Sequence, residues 1–97
     1  MKLKIVEKKL GKFYSRKYCL LTGNGTTSLY LCLKSLNLPK QSKVMIPNSV
    51  CPHVPLSIYL AGLKPLFVDI DKRNLSLNIN SIFKNYNRKV KVIILCY

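Results

Sequence analysis

An α/β fold with mostly parallel strands joined by crossover helices is predicted by three observations. Apolar runs of strand type recur at Lys43–Ile46, Leu66–Ile70 and Val90–Leu95. Segments with apolar residues at helical spacing stand between them, and Gly, Pro or Asn marks most of the changes. Strands that alternate with helices build a sheet whose neighbours run parallel, because each helix carries the chain back to the same end. The 97 residues make one domain at most, or one piece of a larger one. A hydrophobic content of 48% is that of a globular chain and argues against disorder.

The elements follow in order. Residues 1–17 form a basic, weakly amphipathic helical lead-in, with Ile5, Val6, Leu10 and Phe13 as its stripe; Gly11 weakens that helix. The short apolar run Tyr18–Leu21 reads as a strand ahead of Gly23-Asn24-Gly25-Thr26-Thr27. From Thr26 a helix is expected, since Leu29, Leu33 and Leu36 share one face, and Asn37 and Pro39 close it. Lys43–Ile46 is a short buried strand stopped by Pro47-Asn48. A helix from about Pro55 to Ala61 follows, with Pro in its first turn and Gly62 ending it. Leu66–Ile70 is the next strand, and Asp71-Lys72-Arg73-Asn74 a turn. Asn80 is the expected N-cap of a short helix containing Ile82 and Phe83, and Val90–Leu95 is the last strand. A parallel sheet is normally covered on both faces. Four strands with three crossovers, and no helix after the last strand, predict an incomplete unit from a larger α/β protein.

Composition narrows the function. The formal net charge is +14, from 17 Lys and Arg against 3 acids. Such a balance points first to nucleic acid or an anionic surface, but the lysines are scattered from Lys2 to Lys91 and form no single stripe. The chain is also rich in Asn, Ile, Leu and Tyr, a bias that AT-rich coding produces without selection for binding. The cysteines Cys19, Cys32, Cys51 and Cys96 are widely spaced without a CxxC pair, which argues against zinc. Three of them sit in apolar runs, as reduced cysteines do, so a reducing compartment, the cytoplasm, is expected. The charged N-terminus shows no signal peptide. The longest apolar stretch, 54–68, is broken by Lys64 and Pro65 and is too short to span a membrane.

The glycine turn is the strongest chemical feature. Ligands of open α/β sheets gather at the carboxyl ends of strands. A helix beginning there offers unpaired N–H groups and the positive end of its dipole to an anion. A P-loop is excluded, since no Lys follows the glycines, and the dinucleotide pattern fails because Ser28 replaces its third glycine. A plain strand-to-helix turn capped by Asn24 or Thr26 accounts for the segment equally well. Elsewhere, His53 reads as a helix-entry or surface residue. Asp69 and Asp71 could do acid–base or metal work as a pair, but turn and cap roles are expected of them. The burial habit of free cysteine favours a buried, apolar Cys51.

Taken with its neighbours, the turn resembles a known family. Asn24-Gly25-Thr26-Thr27-Ser28-Leu29 is similar to the SGTxAL segment of the DegT/DnrJ/StrS-type sugar aminotransferases. Lys43-Val44-Met45-Ile46-Pro47 resembles that family's DEVIxP strand. The run from Ala61 to Asp71, AGLKPLFVDID, resembles its xGAxPVFVDID signature and is the most specific piece. Leu75-Ser76-Leu77-Asn78 and Lys91-Val92-Ile93-Ile94 resemble TLNID and TKAII. The likeness covers residues 18–97 in order.

The resemblance implies a partial fold-type I large domain over residues 18–97, dependent on pyridoxal 5'-phosphate. It also implies a homodimer that moves an amino group from an amino-acid donor to a nucleotide-linked keto sugar, as in polysaccharide or amino-sugar biosynthesis. By position it assigns Gly25, Thr26 and Thr27 to the cofactor phosphate, and Cys51 to the place where an aromatic residue commonly stacks on the cofactor ring.

The family also needs a lysine that holds the cofactor as a Schiff base and an aspartate paired with the pyridine nitrogen. Both are expected beyond residue 97, and Lys40, Lys43 and Lys64 fall outside the matching motif. The expectation is therefore a truncated N-terminal part of a sugar aminotransferase, inactive alone and without catalytic residues of its own. Three other readings stay open: a partial enzyme completed by a separately encoded chain, a small basic nucleic-acid-binding protein, and a folded remnant serving as an interaction module.

Overall fold

The computed structural model describes residues 2–73 and 75–95; Asn74 of the expected turn and Cys96 lie outside them. Seven elements follow in the order α1 (Lys2–Phe13), α2 (Gly25–Ser35), β1 (Lys43–Pro47), α3 (His53–Leu60), β2 (Lys64–Val68), α4 (Ile79–Asn85) and β3 (Val90–Ile93). The three strands form one parallel sheet in the order β2-β1-β3. The α/β class and the parallel pairing are as the sequence predicts.

The sheet has one strand fewer than expected. Tyr18–Leu21 is not a strand, because no segment among the described residues pairs with it. Tyr18 and Leu20 are 82% and 70% exposed, and the Leu21 N–H donates to the Glu7 carboxylate at 2.7 Å instead of to a ladder. That bond ties the segment back to α1. Gly11 permits the same return. A Cβ there would stand 3.0 Å from the Arg16 carbonyl oxygen, and Arg16 N–H donates to the Gly11 carbonyl at 2.7 Å. The glycine that lowers helix propensity is thus what lets the chain double back against the helix.

β1 is the centre of the molecule. Val44, Met45 and Ile46 are fully buried and point alternately to the two faces. On one face Val44 and Ile46 pack with Leu33 of α2, Ile58 of α3 and Leu63. On the other, Met45 packs with Val68, Leu77 and Val90, flanked by Ile82 of α4. Each fully buried side chain of this size contributes about 1.5–3 kcal/mol, so these two clusters fix α2 and α3 over one face and α4 over the other.

Local chemistry sets the boundaries. α3 begins at His53, two residues earlier than expected, because Pro55 is tolerated throughout a first turn where its missing N–H has no intrahelical partner. It ends at Leu60, and beyond the C-cap Ala61 stands Gly62, whose φ of 79° is the left-handed conformation of a helix stop. β2 runs Lys64–Val68 in place of Leu66–Ile70. Its Pro65 is accommodated because, among the described residues, β2 is an edge strand paired with β1 alone. It stops where Asp69 turns away: Asp69 Oδ1 accepts the Asn48 side-chain amide at 2.8 Å and its carbonyl accepts the Asn78 N–H at 3.0 Å. Ile70 instead forms an antiparallel bridge with Leu77. Asp71 accepts the Arg73 N–H at 2.8 Å, so both aspartates serve the turn. The cap of α4 is Asn78, not Asn80. Asn78 has extended backbone and its side chain accepts the Ser81 N–H, whereas Asn80 already lies inside the helix. β3 ends at Ile93, two residues short of the expected Leu95.

Candidate functional site

The start of α2 is built by residues 22–28. Asn24 is extended, and its Oδ1 accepts the Thr27 N–H at 2.8 Å. The Asn24 carbonyl accepts the Ser28 N–H at 3.2 Å and the Thr22 hydroxyl at 2.8 Å. Thr22 and Ser28 hydroxyls also bond each other. Asn24 is therefore the cap, and it uses two of the first four N–H groups of α2. Those of Gly25 and Thr26 make no hydrogen bond among the described residues.

α3 brings a second helix start to the same place. Its N-cap is Pro52, which has no side chain with which to cap. The buried Ser57 hydroxyl donates to the His53 carbonyl at 2.9 Å and lies 3.1 Å from the Thr26 carbonyl, which locks the first turns of α2 and α3 together. Between them is a cleft of about 280 Å3, lined by Gly25, Thr26 and Leu29 of α2, Cys51 of the connection, and His53 and Val54 of α3, with Ser57 at its floor. It lies past the carboxyl end of β1, and two positive dipole ends converge on it.

Of the four residues assigned to the cofactor, Gly25, Thr26 and Cys51 meet in this cleft. Thr27 stands apart: it is exposed, does not line the cleft, and its N–H is already taken by Asn24. Its hydroxyl makes no hydrogen bond among the described residues. Cys51 is exposed, not buried, so the burial expected from its residue type is incorrect. It lines the cleft from the connection between β1 and α3 and belongs to neither apolar cluster. His53 is exposed at the start of α3, as expected of a helix-entry residue, and it also lines the cleft. Ser57 was missed altogether; a serine within an otherwise apolar helix was the available signal.

The donor set fits a phosphate. Neither Gly23 nor Gly25 has positive φ, and a Cβ on either would meet nothing within 4 Å. Neither conformation nor packing within the chain requires these glycines, so the space in front of them is free for a group to approach. No lysine and no acid lines the cleft. The residues present thus fit the phosphate of a cofactor and do not supply a covalent anchor or a partner for a ring nitrogen.

The sequence matches the profile of the DegT/DnrJ/EryC1/StrS aminotransferase family over residues 2–96. The chain belongs to that family. It is 29% identical over 89 residues to the UDP-2-acetamido-2-deoxy-3-oxo-D-glucuronate aminotransferase of Pseudomonas aeruginosa, a match that takes in 92% of this chain and 25% of that protein. It is 28% identical over 100 residues to the GDP-4-keto-6-deoxy-D-mannose 3-dehydratase of Yersinia pseudotuberculosis, covering 95% and 25%. The structure of the E. coli GDP-4-keto-6-deoxy-D-mannose-3-dehydratase with bound hydrated PLP superposes with a TM-score of 0.86 over 98% of this chain and 26% of that one, at 24% identity. The chain thus spans about a quarter of the length of the curated relatives it matches. Its fold is that of part of the E. coli dehydratase structure. Among the described residues, no helix is long and apolar enough to cross a membrane.

Proposed function

We propose that this chain supplies the cofactor-phosphate cradle of a pyridoxal-phosphate-dependent enzyme that transfers an amino group to a nucleotide-linked keto sugar. The observation that carries the reading is the pair of unengaged N–H groups, Gly25 and Thr26, facing a cleft at which two helix N-termini converge. When bound, the cofactor supplies the electron sink for chemistry at the amino-bearing carbon. The chain's own residues bind and orient. Gly25 and Thr26 donate backbone N–H groups to the phosphate, the Thr26 hydroxyl adds a donor, and Cys51 covers the ring. Asn24 and Ser57 hold those donors in place without touching the cofactor.

In this reading residues 1–17 are a lead-in and 18–97 the N-terminal part of the cofactor-binding domain. The intact enzyme works as a homodimer in the cytoplasm, where the described cysteines Cys19, Cys32 and Cys51 stay free. A second reading, dehydration of a similar sugar, is favoured by the 28% identity to a dehydratase. It uses the same cradle, and product analysis of the intact enzyme separates the two.

Pyridoxamine phosphate is the appropriate probe, because an aldehyde would condense with the many lysines of the chain whereas an amine does not. Saturable binding of pyridoxamine phosphate by the 97-residue chain, with no binding of unphosphorylated pyridoxamine, is expected. Equal binding of both compounds would overturn the assignment of the cradle.

A further inference from the structure

The opposite end of the sheet carries a second concentration of charge. Lys43 opens β1 and Lys64 opens β2, and the two are direct neighbours in the parallel register. Lys43 also pairs with Val90, which brings Arg88, Lys89 and Lys91 to the same end. The Lys43 N–H donates to the Lys89 carbonyl at 2.8 Å and the Lys64 N–H to the Ser42 carbonyl at 3.0 Å, so the backbone beneath the charges is fixed. Lys40 joins them from a turn closed by the Ser42 N–H and hydroxyl on the Pro39 carbonyl. These six cations line one cleft of about 310 Å3 that contains no acid.

Among the described residues of the chain no acid offsets them. Its three acids are placed elsewhere: Glu7 accepts the Leu21 N–H, Asp69 accepts the Asn48 amide, and Asp71 pairs with Arg73. Like charges side by side on neighbouring strands repel. Strands about 4.8 Å apart spread the three strand ends over roughly 10 Å, more than one phosphate can meet but suited to several linked ones. No aromatic side chain lines the cleft, so it lacks the stacking platform used for single-stranded nucleic acid.

We infer that the amino ends of β1, β2 and β3 form a second anion site that binds a polyphosphate group, free or esterified to a nucleoside. The site is independent of the cofactor reading, since it lies at the other end of β1 from the Gly25 cleft.

Titration calorimetry of the full 97-residue chain with tripolyphosphate, ATP and orthophosphate, at one ionic strength, tests it. A triple variant of the cleft, Lys64→Gln with Arg88→Gln and Lys89→Gln, is compared with a triple variant of equal charge on α1, Lys4→Gln with Lys8→Gln and Lys12→Gln. Tripolyphosphate is expected to bind at least about tenfold tighter than orthophosphate. The cleft variant should lose about tenfold or more, since each lost charge-assisted contact is worth that order, and the α1 variant should stay within about twofold. ATP binding as tightly as tripolyphosphate would assign recognition to the phosphates alone, and tighter ATP binding to a nucleoside-borne source. Equal losses in the two variants would overturn the inference, as would tighter binding of a single-stranded oligonucleotide than of tripolyphosphate. Acetylation of the unaltered chain reads the site without any variant. Tripolyphosphate should selectively protect Lys43, Lys64, Lys89 and Lys91, and protection that is uniform or absent counts against the site.

Discussion

The hydroxyl of Ser57, fully buried in α3, lies 3.1 Å from the carbonyl of Thr26 in the first turn of α2, 31 residues earlier in the chain. This contact joins the first turns of the two helices beside the cleft, alongside the apolar packing of Leu33 against Ile58. Ser57→Ala removes it while leaving the apolar contacts of Ile58 intact. A loss of about 1 kcal/mol, the net worth of such a hydrogen bond, is expected in urea denaturation, together with weaker binding of pyridoxamine phosphate.

The glycines separate structural from functional need. Gly25→Ala meets no atom within 4 Å and requires no positive φ. Its thermal midpoint should be unchanged or slightly higher, because Ala favours helix over Gly, while phosphate affinity falls as a methyl group enters the space before the donors. Gly11→Ala should do the reverse. Its Cβ stands 3.0 Å from the Arg16 carbonyl oxygen, so stability falls despite the better helix propensity, and phosphate affinity is untouched. Thermal denaturation and pyridoxamine phosphate titration of the two variants read both outcomes.

Asn24 allows a finer separation. Asn24→Ala removes the acceptor of the Thr27 N–H and should cost about 1 kcal/mol, as loss of an N-cap does. Asn24→Asp keeps the cap and places a negative charge beside the cradle. Its stability should match that of the unaltered chain while its affinity for pyridoxamine phosphate drops, a split visible by comparing urea midpoints with binding isotherms.

Amino transfer itself is expected to be absent from the 97-residue polypeptide alone, because no lysine lines the cleft to hold a cofactor covalently. The measurement is a coupled assay with added pyridoxal phosphate, an amino-acid donor and a nucleotide-linked keto sugar. Turnover above the protein-free rate would contradict this account of the cleft.

Much of this architecture was legible in the sequence. The alternation of elements, a buried strand over Lys43–Ile46 and the stop at Gly62 followed from apolar periodicity and from residues whose backbone preferences are strong; that the strand runs on through Pro47 and lies at the centre of the sheet did not. What was not legible depended on partners distant in sequence. Tyr18–Leu21 has the composition of a strand, yet a strand exists only beside another, and this run is tied to Glu7 instead. Asn80 was expected to cap α4, yet Asn78 does so, because the bonds of Asp69 and Ser81 with it decide the start of the helix. Within the site, the glycine turn was visible as a potential anion cradle, but the convergence of α3 on it was not. That convergence combines the Ser57 contact with the packing of Leu33 against Ile58, and needs a helix that begins two residues before its proline.

The most direct test is an amide-resolved NMR titration of the 97-residue chain with pyridoxamine phosphate. The predicted result is saturable shifts centred on the Gly25 and Thr26 N–H groups, with smaller ones at Cys51 and His53, none at the far end around Lys43 and Lys64, and none anywhere with unphosphorylated pyridoxamine. Unshifted Gly25 and Thr26 amides at saturating ligand, or shifts of equal size at the far end of the sheet, would contradict it.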